Sequence, residues 1–171
     1  MNIQPFRLLG AFLLVLAALA LAACGSASPQ RQASLALGID AAQGEPVFFT
    51  DTHGGFHGDG LTYAELHFSG DACLLEIQQA PGWEALPLGG DLAALLYGGR
   101  VQDGLRGPLT GEDGQPLFPL IEEGYYYFED RSPQSSGSQD TSQILARASL
   151  NFTLGIYDAQ AQTLYYCEFD T

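Results

Sequence analysis

Ala148-Ser149-Leu150-Asn151-Phe152-Thr153-Leu154-Gly155-Ile156-Tyr157, then Asp158–Gln162, then Thr163-Leu164-Tyr165-Tyr166-Cys167-Glu168-Phe169 is the stretch that decides the fold. Apolar residues recur at every second position from Ala148 to Ile156. A period of two is that of a β-strand, whose successive side chains point to opposite faces. The short polar link and the second β-prone run predict an antiparallel C-terminal hairpin with one face buried.

Outward from the hairpin, Tyr125–Glu129 is a β-prone aromatic strand, and Asp130–Gln143, rich in Ser, Gln, Asp, Gly and Pro, reads as an exposed, mobile loop. Glu45–Thr52 and Leu61–Phe68 read as strands, and Trp83–Leu88 as a short strand or an extended link. Asp113-Gly114 predicts a tight turn into a strand at Leu117-Phe118. Two helices are expected. One follows Asp71, with Leu74, Leu75 and Ile77 apolar and Pro81-Gly82 as its stop. The other starts at Asp91, with Leu92, Leu95 and Leu96 on one face and Gly98-Gly99 behind it. Strands outnumber helices and the helices are consecutive, so the expected fold is an α+β domain over 37–171. It would have an antiparallel sheet of about five strands with two short helices on one face. An all-β sandwich is the alternative.

The loop Asp51-Thr52-His53-Gly54-Gly55-Phe56-His57-Gly58-Asp59-Gly60 brings two carboxylates and two imidazoles together. Asp51, His53, His57 and Asp59 are the ligand types of a divalent metal, and glycine lets the backbone bend to converge them. The competing reading is a Gly-rich turn whose Asp and His side chains bond their own backbone. A His-x3-His pair shares a face only on a helix, which this segment cannot form. His53-Gly54-Gly55-Phe56 looks like the oxyanion loop of some esterases, but no Gly-x-Ser-x-Gly accompanies it. Cys73 with His57 or His67 is a weak nucleophile pair, because Cys73 is expected to pack inward. Glu122-Glu123 lacks a nameable partner carboxylate for glycosidase chemistry. Tyr125-Tyr126-Tyr127-Phe128 and Tyr165-Tyr166 are candidate sugar-stacking surfaces, or simply core and ordinary surface. Outside a reducing compartment Cys73 and Cys167 can form a disulfide; the alternative is two buried thiols. With no lysine in the chain, Schiff-base and P-loop lysine chemistry are excluded.

The N-terminal stretch has its own logic. Arg7 is the only charge before the apolar run Leu8–Ala23. A basic n-region and an apolar h-region predict an export signal over 1–23. The run is also short for a membrane span of roughly 20 residues. It ends in Leu21-Ala22-Ala23-Cys24, which resembles the lipobox of bacterial lipoproteins. The resemblance implies that Cys24 is acylated by chains of the palmitate class and anchors the mature protein to the cell membrane, on its extracytoplasmic face. Residues 24–36 then read as a flexible tether. The segment Asp51–Gly60 looks like one found in exported bacterial proteins without assigned activity, and so implies no chemistry.

After Cys24 the chain has 20 acidic residues against five arginines. Such a charge repels phosphate backbones and anionic headgroups. Nucleic acid is therefore not an expected partner, and the lipid bilayer is contacted through the acyl chains. The expected function is a non-catalytic envelope binding module with a protein or glycan partner and no cofactor. The alternatives are a metal-dependent enzyme using the Asp51–Asp59 loop and a carbohydrate-binding surface protein.

Overall fold

The computed structural model describes residues 27–54, 58–101, 104–107, 109–111, 113–133, 135, 137–142 and 144–171. Among these residues eleven elements follow one another: α1 (Pro29–Leu37), β1 (Glu45–Asp51), β2 (Gly60–His67), α2 (Ala72–Ile77), β3 (Trp83–Ala85), α3 (Gly90–Tyr97), β4 (Gly99–Val101), β5 (Gly104–Arg106), β6 (Gly124–Asp130), β7 (Asn151–Asp158) and β8 (Thr163–Asp170). The fold is α+β. Six strands form one antiparallel sheet in the order β1-β2-β8-β7-β6-β3, and β4-β5 is a separate two-stranded ribbon. Leu117-Phe118 forms no strand; an isolated bridge joins Thr110 to Pro116 instead.

The hairpin anticipated from the alternation is β7-β8, with Phe152 paired to Phe169 and Leu154 to Cys167. Leu150, Phe152, Leu154 and Ile156 are buried in one core with Cys167, and Tyr165 and Phe169 pack against it. The expectation of a single buried face needs correction. β7 and β8 lie at the centre of the sheet, and Thr153, Tyr157, Leu164 and Tyr166 are buried on the other side.

Both faces are buried because both are covered. Leu92, Leu95 and Leu96 of α3, with Phe118, Ile121 and Ile144 from the loops, close the first core. Ala33 and Leu37 of α1 and Cys73 and Ile77 of α2 close the second. The two anticipated helices, α2 and α3, therefore pack on opposite faces rather than on one. Their connection is the cause: β3 joins the sheet at its β6 edge and carries the chain from one face to the other.

The expected flexible tether over 24–36 is also corrected, because α1 begins at Pro29 and is part of the domain. The Ser28 hydroxyl caps it by accepting from the Arg31 amide at 3.3 Å, and Pro29 suits the first helical turn. Gly38 ends it with a positive φ of 67°. Ala33 and Leu37, four residues apart, form its buried stripe. The sheet meets α1 at Gly155, where a Cβ would lie 2.9 Å from both Leu37 methyl carbons. Cys24 and the export segment 1–23 lie outside the described residues. No helix among the described residues is long and apolar enough to cross a membrane.

Candidate functional site

The antiparallel hairpin β1-β2 places the ends of both strands beside the C-terminal end of β8, where Gly60 pairs with Asp170. Asp51 is the last residue of β1, and the chain then folds back so that His53 lies over Gly60. A Cβ on Gly60 would sit 2.7 Å from the His53 amide nitrogen, so only glycine admits this approach. The His53 amide donates to Asp51 Oδ1 at 3.0 Å, and the ring Nδ1 lies 3.0 Å from the same oxygen and 3.1 Å from Thr62 Oγ1. On the far side of the ring, Nε2 is 3.2 Å from Asp170 Oδ2. That oxygen also accepts from Arg131 Nη2 at 2.9 Å, and the same nitrogen donates to the Phe152 carbonyl at 3.1 Å.

The result is a hydrogen-bonded chain, Asp51–His53–Asp170–Arg131. Burial pushes the Asp51 carboxyl upward. Hydrogen bonds from the His53 amide and ring and from the Thr62 hydroxyl, with the charge of His53, outweigh it and hold the group below the ordinary carboxylate range. Burial pulls the Arg131 guanidinium down, but its bond to Asp170 and the charges of Asp170 and Glu168 raise it above its usual value. An open cleft of about 480 Å³ lies over the chain, between α1 and the sheet.

This geometry differs from that of a metal centre. A metal takes one imidazole nitrogen and gathers its other ligands on that side. Here the two carboxylates flank opposite nitrogens, so they do not converge on one point. Among the described residues no three His, Cys, Asp or Glu groups are placed to hold a metal ion. Of the four loop residues singled out, Asp51 and His53 come together, Asp59 is exposed and apart from them, and His57 lies outside the described residues.

The other sequence candidates are dispersed. Cys73 and Cys167 are free and buried, the two-thiol arrangement rather than the disulfide. Cys73 belongs to the core under α1 and α2, Cys167 to the core under α3, and the sheet separates them. Burial, helped by the charges of Glu76 and Asp40, pushes the Cys73 thiol up to about 12, which is the reverse of nucleophile activation. His67 lies at the end of β2 with Nδ1 3.5 Å from Thr163 Oγ1. Glu122 and Glu123 are exposed ahead of β6. The tyrosine hydroxyls of β6 are tied to neighbours: Tyr126 donates to Glu84 at 2.6 Å, Tyr127 to Glu129 at 3.3 Å, and Tyr125 accepts from Gln78 at 3.1 Å.

A second feature is more open. β1 is an edge strand, and its central apolar side chains face solvent: Val47 is 66 % exposed, Phe48 51 % and Phe49 38 %. Beside it, on the α3 face, β1 and β2 together with Gly111, Asp113 and residues 115–117 enclose a cleft of about 440 Å³. Phe48, Leu61, Tyr63 and Leu117 give it apolar walls, and Glu65 and Asp113 add carboxylates. The sequence shows Val47-Phe48-Phe49 only as an apolar run, and such a run reads as interior. Its placement at the sheet edge is a matter of strand order, which local sequence does not carry. Comparison with known proteins gives no similarity to reason from: no family model, no curated protein and no solved structure matches this chain.

Proposed function

We propose that the protein is a lipid-anchored lipoprotein of the extracytoplasmic membrane face, and that its domain is a non-catalytic binding module. The observation that carries the anchor is Leu21-Ala22-Ala23-Cys24 at the end of an apolar run behind Arg7. A thiol in that position takes the diacylglyceryl group, and two or more acyl chains suffice for stable attachment. The acidic domain is repelled by anionic headgroups, so the lipid supplies the attachment.

A binding role rather than a catalytic one is supported by His53. Its ring nitrogens lie 3.0 and 3.2 Å from carboxylate oxygens on opposite sides of the ring, where a metal would gather its ligands on one side. The solvent-facing apolar residues of β1 supply a surface for a partner instead. Detergent phase partitioning of the wild type and Cys24→Ala, expressed in a bacterial host, tests the anchor. The wild type is expected in the detergent phase and Cys24→Ala in the aqueous phase; the same distribution for both overturns it.

A further inference from the structure

We infer that the free edge of β1 receives an extended segment of another protein, apolar at its centre and carrying lysine or arginine toward its ends, as a seventh strand of the sheet. The inference rests on the binding-module reading and names its partner.

The backbone provides the first argument. The Thr52 amide donates to the Leu61 carbonyl at 2.9 Å, so Thr52 aims at β2. By the alternation of an antiparallel ladder Thr50 does too, and the N–H and C=O of Phe49 and Asp51 point away from β2. Among the described residues the sheet has no strand on that side. Edge strands are normally blunted by charge, proline or a bulge. In β1 the proline and the bulge between Pro46 and Phe48 sit at the N-terminal end, and the only charge toward the other end is Asp51, whose carboxylate is tied to His53. Phe48 to Asp51 is left open.

Charge provides the second. On the α3 face, Phe48 pairs with Glu65, so the partner's side chains on that face enter a cleft lined by Glu65 and Asp113. Among the described residues no arginine lines the cleft, and the chain has no lysine. A basic residue on the incoming strand supplies what is missing. A second copy does the opposite. It brings a second set of the same carboxylates, Glu65 and Asp113, and no lysine to meet them. Each chain also carries a formal net charge of −14. An extended, basic, apolar-centred segment added by main-chain hydrogen bonds is the partner that fits.

The test is to pan the full-length protein in detergent micelles against a random heptapeptide display library. Enriched peptides are expected to alternate apolar residues and to carry Lys or Arg near their ends. Methylating alternate backbone amides of such a peptide should weaken binding by at least about tenfold for the set facing β1 and leave it nearly unchanged for the other set. Phe49→Pro removes an outward N–H and should weaken binding far more than Phe49→Ala. Glu65→Gln with Asp113→Asn should lose the preference for basic peptides. No enrichment, enrichment of acidic peptides, or equal effects of the two methylation sets overturns the proposal. So does dimerisation of the free protein that Phe49→Pro abolishes. Phase partitioning of Cys24→Ala is read separately, so failure of the anchor and failure of the edge site are distinct results.

Discussion

Asp130 and Arg147 form a two-point ion pair that closes the long excursion between β6 and β7. Arg147 Nη1 donates to Asp130 Oδ1 at 3.0 Å and Nη2 donates to Oδ2. The Asp130 side chain is 1 % exposed and that of Arg147 10 %. The stretch anticipated as an exposed loop is therefore pinned at its base, where Asp130 also accepts from the Ser132 amide at 3.0 Å.

Replacing Asp130 by alanine leaves the Arg147 guanidinium buried without its carboxylate. A loss of roughly 3–5 kcal/mol is expected in a urea melt at pH 7. Burial pushes the Asp130 carboxyl upward, but the bonds from Arg147, Ser132 and Ser135 and the charge of Arg147 prevail and hold it below the ordinary range. For a lowered carboxylate the stabilisation is complete above the unfolded-chain value and disappears as the pH falls through the folded one. The wild-type and Asp130→Ala midpoints should therefore converge below about pH 4. A gap that stays constant down to pH 2 would count against the pair.

Phe152 is fully buried, with ring centroids 5.9 Å from Phe128 and 5.6 Å from Phe169 across three neighbouring strands. Phe152→Ala should cost about 3–5 kcal/mol. Denaturant unfolding checks this, and a change within experimental error would mean that the register of β7 is wrong.

The carboxylates around His53 predict how the protein responds to metals. Zinc or manganese added to the purified, tag-free protein should leave the melting temperature unchanged, because binding only to the folded state would raise it. His53→Ala should remove the link between β1 and β8 and lower the melting temperature without added metal. A metal-dependent rise of several degrees in the wild type, lost in His53→Ala, would restore the loop as a metal site.

The two cysteines make a prediction about reactivity. Burial raises both thiols, Cys73 to about 12 and Cys167 further. Neither should react with a thiol reagent at pH 8 in the native protein, and both should react on unfolding. Non-reducing mass spectrometry that finds Cys73 joined to Cys167 would contradict the placement of the two residues on opposite faces.

How far the sequence could be read depended on whether the pattern was local. The alternation Leu150, Phe152, Leu154, Ile156 gave the central hairpin because the strand period is written in neighbouring residues. The other face of β7, Thr153-Gly155-Tyr157, looked polar or small. In the fold all three are covered, and Gly155 is the one that lets α1 approach closely. α1 itself was missed because only Ala33 and Leu37 of Pro29–Leu37 are buried, a stripe too thin to stand out from polar neighbours. At the site, Asp51 and His53 were legible as neighbours in a loop. Asp170 lies 117 residues from His53, and only the pairing of β2 with β8 brings it there. The one available signal was the C-terminal run itself. Extending the β8 strand to Asp170 and pairing it with β2 would have placed a carboxylate beside Gly60.

The docking of α1 onto the sheet also sets how the domain stands on a bilayer. With Cys24 acylated, the leash runs only from Cys24 to Pro29, a span of at most about 17 Å, where a flexible segment reaching to Leu37 would allow about 45 Å. The domain's own breadth is on the order of 30 Å. Under the proposed anchor the leash would be shorter than the body it holds, and the domain would ride against the headgroups and sample little of the space above them. On that proposal, a partner would have to come to the membrane itself.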